Sequence, residues 1–148
     1  LYHRYNYGKR SGNCYILRKG RNRPDIPKVF DGPVYDDNMS QEDLVRMFNN
    51  HKYCFFYDTQ TFYTAIACVC GCIPIVVMEP GKRIEDYLGS AERDHFGVAY
   101  GDSAEQIEYA IQTRNKRINQ LEFSERNKKN VLAFLPILES RFGKIKTL

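Results

Sequence analysis

Apolar and aromatic residues gather at five places in the first hundred positions, each run short enough for one strand. Residues 13–19, "NCYILRK", alternate and are rich in branched and aromatic side chains, and "GRNRPDIPK" then breaks the run with Gly and two prolines. "VFDG" (29–32) reads as a short second strand, "KYCFFYD" (52–58) as a buried one, "CIPIVVM" (72–78) as another, and "FGVAYG" (96–101) as a last one between glycines. Helical spacing fills the gaps. "SQEDLVRMFNN" (40–50) opens on Ser40 with Asp43 three residues on, and Leu44, Met47 and Phe48 follow on one face, which predicts a capped amphipathic helix. "TQTFYTAIACVCG" (59–71) predicts a helix that starts at a threonine and stops at a glycine. "EPGKR" (79–83) is a loop and "RIEDYLG" at most a short helix.

From Ser103 to about Phe142 the pattern is helical, with a break expected near "EFSERN" and a kink at Pro136. Ile107, Ala110, Ile111, Ile118 and Leu121 recur at helical spacing, as do Val131, Leu132, Leu135 and Leu138. Strands that alternate with helices predict an α/β fold: a Rossmann-like, open, mostly parallel sheet with helices on both faces and a helical C-terminus. Ligands of such sheets bind outside the C-terminal strand ends, where the strand order reverses. "YDTQT" lies at one such end, ahead of a helix.

The chain of 148 residues suffices for one domain with its own core. No apolar run approaches the roughly 20 residues that span a bilayer, and the N-terminus lacks a signal-peptide core. It begins with Leu rather than Met, which suggests a piece of a longer protein. The net charge of +4 is uneven: residues 1–28 carry +7 and the remainder about −3. A basic end of this kind is either a solvated surface or the seat of an anionic partner such as phosphate or nucleic acid.

Five cysteines, three of them in "CVCGC", do not form a secreted disulfide framework, so a reducing, cytoplasmic setting is expected. Structural zinc needs two ligand pairs that converge, whereas the spacing here is C-x-C-G-C with no histidine nearby, and the redox spacing C-x-x-C is absent. Cys68 and Cys70 would point to opposite sides of a helix. The cluster reads as small packing residues, and no metal is expected.

Neither a P-loop nor a dinucleotide fingerprint occurs. Two weaker signals remain. "KRSG" and "LRKG" flank the first strand and supply Arg10, Gly12, Arg18 and Lys19; Thr59 and Thr61 stand where a helix start would offer free N–H groups to an anion. Together they make a candidate diphosphate cradle, although Thr59 alone could be a helix cap and Arg18 and Lys19 a solvated strand end. Asp58 is the acid placed to face the crevice, as ligand or as N-cap.

"HKYCFFYDTQTFYTAIACVCGCIPIVVMEPG", with "RSGNCYILRKG" upstream, resembles the donor-binding half of GT-B fold glycosyltransferases over residues 10–112. The resemblance implies a nucleoside-diphosphate sugar (UDP, GDP or dTDP) as donor, with Arg10, Arg18 and Lys19 on its phosphates. Val34, Tyr35 and Tyr57 would lie near base and ribose, Thr59 and Thr61 would supply helix-start donors, and Asp58 would stand at the first acid of the E-x7-E motif. Ile66 occupies the second acidic position, a departure that leaves the stereochemistry of transfer open. It further implies that residues 1–148 form a single donor domain lacking its N-terminal acceptor-binding domain, that the acceptor is a saccharide or glycan, and that no obligatory cofactor is needed. Two other readings stand beside it: a nucleic-acid-binding module built on the basic, tyrosine-rich N-terminus, and a non-catalytic Rossmann-like interaction domain.

Overall fold

The computed structural model of the chain describes residues 2–59, 61–88 and 95–142. Five strands form one parallel sheet: β1 (Ser11–Ile16), β2 (Val34–Tyr35), β3 (His51–Phe56), β4 (Ile73–Val76) and β5 (Ala99–Tyr100), in the order β2-β1-β3-β4-β5. Helices α1 (Gln41–Asn50), α2 (Tyr63–Cys70) and α3 (Ala104–Phe142) complete the fold, with 3₁₀ turns at Arg18–Gly20 and Ile84–Asp86. The chain divides into two compact units, residues 1–118 and 119–148; the second continues α3 as helix through Phe142.

Period-two alternation decides which helix covers which face. Cys14 and Ile16 of β1, Cys54 and Phe56 of β3, and Cys72 before β4 face one way and pack against Leu44, Val45, Met47 and Phe48 of α1 and Ile66, Ala67 and Cys70 of α2. The intervening Tyr53, Phe55, Ile73, Ile75 and Ala99 face the other way, onto Ile107 and Ala110 of α3. Both faces are thus covered, which parallel sheets require. Phe48 and Phe56 are wholly buried, each stabilising the fold by about 3 kcal/mol through apolar area withdrawn from water.

α1 forms as its sequence dictates: Asp43 N donates to Ser40 Oγ at 3.1 Å and Ser40 N to Asp43 Oδ2 at 3.2 Å, a reciprocal capping box. α2 stops at Gly71, whose φ of +87° is a left-handed cap. Pro74 tolerates an inner strand because β5 first pairs at Ile75, so no partner waits for the missing N–H.

Strand ends shift by up to three residues, with β1 stopping at Ile16 and β5 confined to Ala99–Tyr100, and three larger differences from expectation appear. The second strand is Val34–Tyr35 rather than 29–32. Phe30 instead lies on the Tyr15 ring at 4.7 Å, Asp31 accepts from Tyr15 Oη and Asn13 Nδ2, and Gly32 passes so close to the Asn13 carbonyl that a Cβ would sit 1.8 Å from its oxygen. α2 begins at Tyr63, not at Thr59, because Thr61 draws the backbone into a local turn: its Oγ1 accepts from Tyr63 N at 3.2 Å and its carbonyl from Thr64 Oγ1 at 3.0 Å. α3 runs through "EFSERN" without a break, since those six residues include neither Gly nor Pro and each tolerates a helix, and Pro136 does not divide it. Ile111 is 43% exposed, unlike Ala110, while the side chains at Val131, Leu132, Leu135 and Leu138 lie outside the described residues.

All five cysteines are free and buried. Burial pushes the Cys54 thiol up to about 11 and the Cys68 thiol to about 12, so both are protonated at neutral pH and unsuited to thiolate chemistry. Cys68 Sγ lies 3.1 Å from the Gly97 carbonyl, in a contact with no room for a larger side chain. Among the described residues no three His, Cys, Asp or Glu side chains are placed to hold a metal ion. Cys54→Ala should lower the stability by about 1 kcal/mol through the small cavity it leaves, measured by urea unfolding, and should leave ligand affinity unchanged.

Candidate functional site

The chain crosses from one side of β1 to the other between β2 and β3, so strand order reverses at the β1/β3 pair. β1 exits into the 3₁₀ turn Arg18–Gly20, and β3 exits into residues 57–62, which lead to α2. Backbone bonds hold these exits level: Tyr57 N donates to Ile16 O and Val77 N to Phe56 O, each at 2.9 Å. At Gly20 the two loops touch, since a Cβ there would fall 2.1 Å from the Tyr57 carbonyl oxygen.

Arg23 fastens the crevice floor. Its guanidinium donates to the carbonyls of Tyr57 (3.1 Å), Val77 (2.7 Å) and Met78 (3.0 Å), just past the ends of β3 and β4. Two further bonds, of 2.9 and 2.6 Å, run to Asp25. The Arg23 side chain is only 10% exposed and lies 5.2 Å from the centre of the Tyr57 ring. The sequence offered a signal for it, an arginine with an acid two residues on across Pro24, but in a basic run it was indistinguishable from its neighbours.

On this floor stand Arg18, Lys19 and Asp58. Arg18 has φ of +32°, a strained value for a side-chain-bearing residue and one that concentrates at functional sites. Its guanidinium carbon sits 4.7 Å from the centre of the Tyr63 ring, in the first turn of α2, while its Nε reaches Asp37 at 3.3 Å. Asp37 also takes Arg21 at 2.7 Å; Arg21 first, then Arg18, holds its carboxyl below the ordinary range. Lys19 is exposed and makes no ion pair among the described residues. Asp58 is 4% exposed, and its Oδ2 is buried with no hydrogen-bond partner among the described residues. With Phe62 as the N-cap of α2, Asp58 is not the cap of that helix.

The structure separates the other expected residues. Arg10 precedes β1, at the opposite end of the strand from Arg18 and Lys19 and roughly 20 Å away along its six residues. There it donates to Phe48 O and Asn6 O at 2.6 Å and to Cys70 O at 2.7 Å, binding the carbonyl ends of α1 and α2. Burial and the neighbouring Arg4 press its pKa below the usual arginine value. Gly12 lies at that same edge, with φ of +78°. Arg10 and Gly12 therefore cannot share an anion with Arg18. Thr59 precedes α2 by four residues, so it offers no helix-start N–H, and Thr61 spends its hydroxyl oxygen on Tyr63 N.

Tyr35 is 6% exposed and lies edge-on to Tyr63, with ring centres 5.8 Å apart; burial, then the Tyr63 hydroxyl, raises its phenol pKa. Tyr57 is likewise buried, its ring taken by Arg23. Both rings are buried, whereas Val34, which opens β2, is half-buried. Ile66 is 3% exposed in the core, so the position where the resembling family has its second acid points away from the crevice.

Arg23→Ala should lower the stability by about 3 kcal/mol, because three strand-end carbonyls and Asp25 lose their partner together. Asp25 adds a pH term. Its hydrogen bonds from Arg23 hold its pKa below the ordinary carboxylate value of 3.8, so its stabilising contribution is complete above that value and is lost as pH falls through the lowered one. Asp25→Asn should therefore flatten the fall in melting temperature below about pH 4, as followed by circular dichroism.

No protein-family model matches the chain, and neither a curated protein nor a solved structure matches it.

Proposed function

We propose that this chain is the nucleotide-sugar-binding part of a GT-B type glycosyltransferase, with the diphosphate held at the β1/β3 crevice. The single observation that carries the reading is that strained Arg18, Lys19 without an ion pair among the described residues, and buried Asp58 sit on the two loops that touch at Gly20 and Tyr57, where strand order reverses. The two cations would neutralise charge on the departing nucleoside diphosphate, and Asp58 would accept a hydrogen bond from a donor hydroxyl. Such stabilisation operates without a bound divalent ion. Transfer to a saccharide acceptor would require an acceptor-binding domain from the same enzyme, working in the cytoplasm. Among the described residues no helix is long and apolar enough to cross a membrane. The nucleic-acid reading loses ground because Arg10 and Arg4 are engaged with backbone carbonyls rather than forming an open basic track.

Calorimetry with UDP, GDP and dTDP is the test. One of the three should bind, with Lys19→Ala and Arg18→Ala each weakening it about tenfold, the loss of one charge-assisted hydrogen bond. Arg10→Ala should destabilise the fold but leave the affinity per folded molecule intact. If the folded protein binds none of the three at millimolar concentration, the proposal fails.

A further inference from the structure

Asp37 bridges two arginines beside the β1/β3 crevice. Its Oδ1 accepts from Arg18 Nε at 3.3 Å and its Oδ2 from Arg21 Nη2 at 2.7 Å, so one carboxylate gives an oxygen to each guanidinium. Asp37 stands just past β2, in a turn where Asp36 Oδ1 accepts from Asn38 N at 2.8 Å and Asp36 O from Met39 N at 3.2 Å. β2 runs parallel to β1 and next to it, so this turn meets the exit of β1. Arg21 Nε also donates to Arg18 O at 2.9 Å, which keeps the two arginines together. The bridge does not build the turn that carries them. Backbone bonds close that turn, Gly20 N to Leu17 O at 2.6 Å and Arg21 N to Arg18 O at 3.2 Å, and the close approach of Gly20 to the Tyr57 carbonyl seats it. The Arg21 and Asp37 side chains are 58% and 57% exposed, and ion pairs so open to water contribute little to stability.

A bridge of this kind is readily exchanged, and its chemistry says for what. A carboxylate and a phosphate offer oxygens to the same guanidinium donors, and a diphosphate brings more charge than one carboxylate. Among the described residues, the two Nη groups of Arg18, Nη1 of Arg21 and the Lys19 ammonium make no hydrogen bond. An anion arriving there meets the cations of Arg18, Lys19 and Arg21 on one turn, opposed by the Asp37 carboxylate that already holds two of them. We infer that Arg21 is a further cation of the diphosphate site and that Asp37 is its internal competitor: the carboxylate holds Arg18 and Arg21 in the free protein, and both guanidiniums pass from it to a phosphate on binding. The inference rests on the reading of the crevice as a diphosphate site, and adds to it a third binding side chain and an acid that limits its affinity.

The test is calorimetry of the whole chain with pyrophosphate and with UDP, GDP and dTDP. Asp37→Asn keeps the size of the side chain and removes its charge. It should tighten binding of pyrophosphate and of the preferred nucleoside diphosphate about fivefold, the effect of one opposing charge close by in a solvated site. Arg21→Ala should weaken both about tenfold, and the gain from Asp37→Asn should shrink in that background, where only one guanidinium is left to be freed. Melting curves establish that the variants are folded. Unchanged or weaker binding in folded Asp37→Asn overturns the inference, since a carboxylate that only positioned the arginines would give that result. Undiminished binding in folded Arg21→Ala overturns it too. A nucleoside diphosphate that binds the unaltered chain but gains nothing from Asp37→Asn defeats this inference alone. Pyrophosphate that binds, and binds tighter to Asp37→Asn, while no nucleoside diphosphate binds, supports the competitor and defeats the donor reading. If no probe binds either protein at millimolar concentration, both fail.

Discussion

β1 and β3 lie side by side in parallel, in register from Ser11 opposite His51 to Ile16 opposite Phe56, and the other features of the fold take their places from that pairing. The chain leaves β1 toward one edge of the sheet and leaves β3 toward the other, so their two exits diverge and a crevice opens between them. Because the strands are parallel, both exits fall at the same end. Arg23 then acts where the ladder stops, supplying donors to three carbonyls that have passed the last strand residue. Charge is used there to close the backbone account, and the cations left over face solvent.

The sheet consequently has two ends of different chemistry, although the sequence around β1 is basic on both sides. At the entry end, Arg10 and Arg4 lie against Gly71, where the carbonyls of α1 and α2 emerge and the helix dipole is negative. At the exit end, Arg18 is bent into a strained backbone and Lys19, exposed, makes no ion pair among the described residues. A guanidinium bound to several carbonyls is a structural bolt, whereas an exposed lysine remains available to solvent. The difference lies in what surrounds each charge.

Much of the fold was legible. The capping box at Ser40 and Asp43, the glycine stop at Gly71 and the strand in 52–58 each act within a few residues, and each is present as read, the strand as His51–Phe56. The boundaries that moved did so because side chains competed with regular hydrogen bonding. Thr61 claimed the backbone N–H of Tyr63 and delayed α2, and Asp31 with Gly32 tied the chain to β1 before β2 could pair. The site was legible in part. Arg18, Lys19 and Asp58 can be picked out as charged residues next to predicted strand ends, whereas Arg10 has the same signature and serves another purpose. Arg23 could not be picked out, since its role arises from partners 34 to 55 residues away.

Local periodicity and capping determined, from the sequence alone, that this chain builds a parallel sheet covered by helices on both faces and that "CVCGC" is a tightly packed helix end. Those outcomes depend on side-chain spacing and on the small volume of cysteine and glycine, which are properties of neighbours in the chain. Only the tertiary structure decided that Arg10 and Arg18 belong to opposite ends of the sheet, that Tyr35 and Tyr57 are buried, and that Asp58 and His95 each bury a polar atom without a partner among the described residues. The physical reason is that burial and hydrogen-bond satisfaction are set by what comes near in space, and a residue type by itself carries no record of that.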